Sequence, residues 1–182
     1  YNAHTLISEE KGFLKPPIFN GKFVSFDYKN MEVSVLQWLS KDQELLFFLN
    51  TNDFFESVWN ALMPEVPCNH LHRKTCKEIF LPVFYGMGAD SLSKKINWPI
   101  NHVKKIIEKI YRMFPTSINW INSQESYIID NYAIDSFGRR RIFEESYKIR
   151  NFSVQSPASL ICIDRLNKLN ESVFNVAKVC MH

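Results

Sequence analysis

Four cysteines (Cys68, Cys76, Cys162 and Cys180) include no C-x-x-C pair and no disulfide-framework spacing. That argues against a secreted disulfide scaffold and fits a reducing compartment. No apolar run reaches the roughly 18–20 residues of a membrane-spanning helix, and no signal peptide opens the chain, so no membrane partner is expected. There is no internal repeat and no low-complexity linker. A glycine-rich phosphate loop is missing too, because Gly86-x-Gly88 is too short and follows a helical stretch rather than a strand. Charge of one sign is also scarce. The formal net charge is only +3, too mild by itself to indicate nucleic acid.

What is present is a chain of 182 residues, 46% hydrophobic and 23% charged. It can bury a proper core and amounts to one domain or a little more. Positive charge is concentrated rather than plentiful, in Gly138-Arg139-Arg140-Arg141 and around Arg73 and Lys77. The chain opens on Tyr1 and stops at Met181-His182, just after an apolar run. Both ends read as cuts through a longer protein, so a fragment is expected.

Periodicity and punctuation predict a mostly helical chain. Lys22–Asp27 alternates toward a short strand that ends on a carboxylate. Residues 31–49 suit two helices broken near Ser40-Lys41-Asp42, with Asp42 capping the second and Asp53 a third that runs to about Leu62. Pro64 and Pro67 mark a loop before a helix over 72–85. Further helices are expected over 89–96, 101–113 and 116–130, punctuated by Pro99 and Pro115. Tyr132–Ser136 reads as a strand entering a Gly138 turn, about Asn151 to Ser172 as a helix with Pro157 near its start, and Val176–Met181 as a closing strand.

Arg73, Lys77, Leu81 and Tyr85 recur every four residues and so share one helix face. Two cations, an apolar residue and an aromatic in a row suit a nucleoside triphosphate, with the cations meeting phosphates, the apolar residue the sugar and the ring the base. The plainer reading is a solvated amphipathic helix whose Leu and Tyr face a core. Asp27, at a strand's end, is the usual platform for a divalent cation, because Mg²⁺ takes one or two protein carboxylates and completes its shell with phosphate and water. Taken alone, such an Asp is more often a helix cap. The three adjacent arginines can neutralise backbone phosphates without reading sequence, although a basic turn is usually a solvated surface. Asn151 and Gln155 place two amides one helical turn apart. Cys68-x-His70-x-His72-x3-Cys76 offers four zinc-ligand types, but zinc sites use wider or C-x-x-C spacing, so coincidence is the better reading.

In order along the chain these features resemble A-family DNA polymerases over roughly residues 20–182. Asp27, Tyr28 and Glu32 match motif A, D-Y-S-x-x-E. The resemblance implies that Asp27 binds both metals, that the Tyr28 backbone carbonyl assists, and that Glu32 screens the ribose 2′ position, which argues against ribonucleotide use. The family's Arg two residues after the Glu is Ser34 here. The spacing R-x3-K-x7-YG matches the nucleotide-binding helix, so Arg73 and Lys77 are implied to bind the triphosphate, Leu81 to pack on the deoxyribose and Tyr85 to close on the nascent pair. Leu81 stands where Phe or Tyr is usual, and Pro82 where a small residue is usual. Altered discrimination against dideoxynucleotides is therefore expected.

Asp135-Ser136-Phe137-Gly138-Arg139-Arg140-Arg141 resembles the T-L-x-G-R-R-R turn that touches the template. Asn151 and Gln155 fall at the family's minor-groove positions, where amide donors meet acceptors present on every base pair. Ser156 and Ser159 depart from the family's Gly and Ala-Asp region. Ala177–His182 resembles the approach to motif C, with His182 among the DNA contacts and the second metal-binding Asp expected next. Tyr1-Asn2-Ala3-His4-Thr5 resembles a segment ahead of the palm. Its short distance to Asp27 suggests residues missing near Lys11.

The implied fold is α/β (α+β), a polymerase palm sheet with a large helical fingers insertion. Residues 1–30 would form the leading palm segment and metal-binding strand, 31–131 the fingers, and 132–182 the palm return. The implied activity is template-directed DNA synthesis with two Mg²⁺ ions, Mn²⁺ being an alternative. Its partners would be primer–template DNA, dNTPs and replication accessory proteins, in a bacterial or phage-infected cytoplasm or an organelle. Two-metal chemistry needs both carboxylates, with the ions about 3.5–4 Å apart. With Asp27 alone the polypeptide as written is expected to be inactive. The rival expectation is a catalytically inactive polymerase-like module that only binds primer–template.

Overall fold

The computed structural model describes residues 27–128 and 132–168, apart from the side chain of Leu166. Most of the expected strand Lys22–Asp27, all of Val176–Met181 and His182 lie outside the described residues. By its internal contacts the chain divides into two units. One is Asn30–Pro157; the other comprises Tyr1–Lys29 with Ala158–His182.

Helix α1 (Met31–Ser40) stops where Lys41 turns left-handed at φ 59°, its N–H bonding back to Gln37. Asp42 then starts α2 (Gln43–Leu49): one carboxylate oxygen accepts from the Glu44 and Leu45 amides at 3.0 and 3.2 Å. Such a cap satisfies donors that the first helical turn leaves without partners. Its other oxygen accepts from the Ser117 amide at 2.8 Å, and Ser40 and Ser117 share a hydroxyl contact at 3.0 Å. Asp42 is only 2% exposed. One buried carboxylate thus ties together helix starts 75 residues apart.

Asp53 caps α3 (Phe54–Leu62) through the Glu56 amide, and Asn69 caps α4 (His70–Phe84) through the His72 amide. Pro82 lies inside α4, yet the helix runs on to Phe84. There follow α5 (Ala89–Ile96), α6 (Ile100–Met113), which begins just after Pro99, and α7 (Pro115–Ser123), with Pro115 in its first turn, where a missing N–H costs nothing. The single helix expected over 116–130 gives way to a 3-10 turn at Gln124–Tyr127. The Ser123, Gln124 and Ser126 side chains hydrogen-bond to carbonyls of the preceding turn there, competing with the helical ladder.

Strands β1 (Tyr132–Ile134) and β2 (Arg140–Ile142) form an antiparallel hairpin, pairing Tyr132 with Ile142, Ala133 with Arg141 and Ile134 with Arg140. Helix α8 (Lys148–Asn167) begins three residues before the expected Asn151, and Pro157 sits well inside it rather than near its start. An acidic turn precedes it, where the Glu145 carboxylate pairs with Lys148 at 2.8 Å and accepts from the Tyr147 hydroxyl at 2.7 Å. Those two bonds, Lys148's first, hold Glu145 below its ordinary pKa. A carboxylate kept charged at a helix start is favoured by the peptide dipoles.

The fold is therefore α/β with helices predominating. The main core of the Asn30–Pro157 unit is aromatic: Phe54, Phe80, Phe84 and Phe114 are essentially unexposed. Phe80 meets Phe54 at 5.1 Å and Phe114 at 5.5 Å, both edge-to-face, the favoured arrangement of ring quadrupoles. A second cluster, Ala133, Phe143, Ile149 and Phe152 with Ile128, fixes the hairpin against the start of α8.

Candidate functional site

Helix α4 presents two faces. Cys76, Ile79, Phe80, Val83 and Phe84 are buried in the aromatic core, while Arg73, Lys77, Leu81 and the C-capping Tyr85 follow an adjoining, more open stripe. Arg73 donates from Nε to Asp53 Oδ2 at 2.7 Å. Lys77 is exposed and makes no ion pair with any described residue. Leu81 is half-buried.

At the C-terminal end of this face three elements meet. The Tyr85 hydroxyl, from the end of α4, donates to Glu32 Oε2 on α1 at 2.5 Å. The Gln155 amide, on α8, donates to Glu32 Oε1 at 3.3 Å. Burial, then the Glu32 charge, then this hydrogen bond push the Tyr85 phenol above its ordinary pKa. Tyr85 therefore stays a neutral donor at any working pH. Both Glu32 oxygens accept a hydrogen bond in this arrangement. One turn from Gln155, Asn151 has a buried Oδ1 with no hydrogen-bond partner among the described residues. An unsatisfied buried acceptor is costly and calls for an explanation, such as a donor supplied by a ligand or water.

Gly86 follows Tyr85 at φ +87°. A Cβ there would lie 2.8 Å from Arg150 Nη1, the far end of a flexible side chain, so it is the left-handed conformation that calls for glycine at this turn. Arg150 is itself fixed by Glu125, Nε to Oε1 at 2.8 Å.

The basic hairpin is built on Asp135. Its Oδ1 accepts from the Phe137 and Arg139 amides at 2.9 and 2.8 Å, and its Oδ2 accepts from the Ser156 hydroxyl at 2.5 Å. Gly138 supplies the φ of +84°. Arg139, Arg140 and Arg141 are all exposed, and none forms an ion pair among the described residues. The Arg140 guanidinium lies 3.5 Å from the Tyr132 ring centroid, a cation–π contact that stiffens it.

Asp27 and Tyr28 are exposed, in the other unit. The cysteine–histidine cluster is otherwise engaged. Cys76 is buried in the core, and burial pushes its thiol up to about 12. The His72 ring stacks on Trp59 at 4.5 Å with Nδ1 3.0 Å from the Pro67 carbonyl.

The α4 stripe was legible from its spacing. Sequence reasoning missed Gln155's bond to Glu32, the second oxygens of Asp42 and Asp53, the Asp135–Ser156 bond and the Arg150–Glu125 pair. For Asp42, Asp53 and Asp135 the local signal was an Asp ahead of a helix or turn, which predicts a cap and nothing about its other oxygen; the Gln155–Glu32 and Arg150–Glu125 contacts had none.

The sequence model of DNA polymerase family A matches residues 8–165. The chain belongs to DNA polymerase family A. It is 32% identical over 122 residues to the thermostable DNA polymerase I of Thermus aquaticus, covering 65% of this chain and 15% of that protein. To DNA polymerase I of Helicobacter pylori (strain ATCC 700392 / 26695) it is 30% identical over 120 residues, covering 65% of this chain and 13% of that protein. To DNA polymerase theta of Caenorhabditis elegans it is 29% identical over 153 residues, covering 76% and 9%. This family-A chain thus spans a small part of the length of these relatives. Its fold is similar to the POL domain of Pol1 from M. smegmatis, solved in complex with DNA primer-template and dNTP, with a TM-score of 0.65 at 21% identity, covering 78% of this chain and 29% of that one.

Proposed function

We propose that this family-A chain carries nucleotide- and primer–template-binding residues for template-directed DNA synthesis, the addition of dNTPs to a primer 3′ end by two-metal nucleotidyl transfer. The observation that carries this is the convergence of Glu32, Tyr85 and Gln155 at one end of the helix face bearing Arg73, Lys77 and Leu81. A neutral phenol donor and a carboxylate acceptor beside a cationic stripe suit a ligand with phosphates at one end and a sugar and base at the other. In this scheme residues 1–30 and 132–182 belong to the palm and 31–131 to the fingers.

The primer 3′ hydroxyl attacks the α-phosphate, and pyrophosphate leaves. Arg73 and Lys77 hold the triphosphate and balance its charge, chiefly a matter of positioning and electrostatics. Leu81 packs on the deoxyribose and Tyr85 on the nascent pair. Glu32 guards the 2′ position, and Asn151 and Gln155 contact the minor groove. Arg139, Arg140 and Arg141 bind backbone phosphates, and His182 is assigned with them to DNA binding.

Magnesium takes hard oxygen donors, and the Asp27 carboxylate and Tyr28 backbone carbonyl are of that kind. These two are the ligands this chain is proposed to offer; among the described residues no group of three or more His, Cys, Asp or Glu gathers. When bound, the ions (Mg²⁺ or Mn²⁺) supply positive charge to the attacking and leaving oxygens. Replication accessory proteins and a cytoplasmic or organellar setting belong to the same proposal. Among the described residues no helix is long and apolar enough to cross a membrane.

Primer extension by the full-length protein tests this, with Asp27→Ala as control. Template-dependent extension that Asp27→Ala abolishes is the expected result. Primer–template binding without extension would leave the inactive binding module instead, a reading that the departures at Leu81, Pro82 and Ser156 favour. A finer expectation concerns Leu81, which lacks the ring usual at its position. Leu81→Tyr should raise dideoxynucleotide incorporation by about tenfold or more relative to dNTP, as one sugar contact is worth 1–3 kcal/mol. An unchanged ratio would remove Leu81 from the sugar site.

A further inference from the structure

Asp53 is shared between two tasks. Its Oδ1 accepts from the Glu56 amide at 3.0 Å and so caps α3; its Oδ2 accepts from Arg73 Nε at 2.7 Å. Arg73 Cζ also lies 5.8 Å from the centroid of the Phe55 ring, two residues along the same helix start. Phe55 is buried at 4% exposure and Asp53 is anchored by its cap, so neither contact can follow the arginine if it moves. Free arginine side chains lose considerable rotamer freedom on binding an anion, and that loss is lessened when the fork is fixed beforehand. A carboxylate on Nε occupies one edge of the guanidinium. The edge formed by its two terminal nitrogens is the part that grips a phosphate bidentately. Lys77, one turn on, is a point charge on a flexible stem with no ion pair among the described residues.

Building on the proposed function, we infer that Asp53 is a positioning residue for triphosphate binding, holding Arg73 through Nε so that its outer edge faces the phosphates while Lys77 adapts. The α3 cap and the phosphate site are thereby coupled through one carboxylate.

Asp53→Asn separates the two tasks, since asparagine caps helices about as well as aspartate. With its oxygen on the Glu56 amide, the asparagine turns a donor NH₂ toward a guanidinium that can only donate. In steady-state primer extension by the full-length protein, Asp53→Asn should raise the dNTP KM about tenfold, the scale of one charge-assisted bond, with kcat changed less than about threefold. The melting temperature should stay at its wild-type value. On an Arg73→Ala background the same substitution should raise KM no further, because the arginine it positions is gone. A wild-type KM for Asp53→Asn, or a rise that multiplies with that of Arg73→Ala, would overturn the assignment. Calorimetry with inorganic tripolyphosphate separates this from failure of the polymerase reading. Tripolyphosphate binding that weakens about tenfold in Asp53→Asn supports the assignment even if no primer is extended, on the same one-bond scale. Extension by the wild type with no change in Asp53→Asn overturns the assignment alone.

Discussion

Replacing Lys77 by alanine should lower dNTP incorporation by about 10²–10³-fold, the loss typical of removing one group that meets developing charge. Lys77 is exposed, sits on α4 one turn from Arg73 and one turn before Leu81, and makes no ion pair with any described residue. Nothing in the fold therefore depends on its ammonium, and stability should change by less than about 0.5 kcal/mol. Arg73 cannot move over to take its place, because Asp53 holds it through Nε. Lys77→Arg should recover part of the loss, and the defect of Lys77→Ala should shrink at high ionic strength, where screening already weakens the wild type. Primer–template affinity should be unaltered, since the duplex contacts are assigned to the hairpin arginines and to α8. Single-nucleotide extension kinetics beside a thermal melt check all of this. A Lys77→Ala protein that extends at the wild-type rate would mean that this face of α4 is not the triphosphate site.

That face was visible in the sequence because a four-residue recurrence along a helix is local information. So were the starts of α2 and α3, where Asp42 and Asp53 stand just before apolar runs, and the breaks at Pro99 and Pro115. The meeting of Glu32 with Tyr85 and Gln155 spans 53 and 123 residues and follows from tertiary packing that no short-range pattern encodes. Asp135 read only as part of a basic turn, yet its two oxygens organise that turn and bind it to Ser156 on α8. The 3-10 turn after Ser123 was misread as helix for a related reason. Its serines and glutamine have adequate helix propensity, but in place their side chains compete for backbone carbonyls. At the early start of α8 stands the Glu145–Lys148 pair, a signal that apolar periodicity does not carry.

The other face of α4 supports a second large effect. Phe80→Ala should cost about 3–5 kcal/mol, the range for truncating a fully buried aromatic. Phe80 has no exposed surface and touches the rings of Phe54, Phe55, Phe84 and Phe114 at centroid distances of 5.1, 6.4, 4.8 and 5.5 Å. Its apolar neighbourhood already holds a void of about 10 Å³, lined by Trp59, Leu62, Cys76, Ile79, Phe80 and Ile110 among others. Removing the ring enlarges that void, and no polar group there could retain water in it. Against a total stability of about 5–15 kcal/mol the loss is severe, and at about 2–4 °C per kcal/mol it should lower the melting temperature by about 6–20 °C. Phe80→Leu keeps most of the volume and should cost much less. The consequence for the site follows from the helix itself. Arg73, Lys77 and Leu81 are aimed by the packing of the adjoining buried face, so at temperatures where Phe80→Ala is still folded its dNTP KM should rise although both cations are still present in the chain. A Phe80→Ala protein that melts within about 2 °C of the wild type, well inside what one buried ring should change, would mean that α4 is held by something other than this aromatic core.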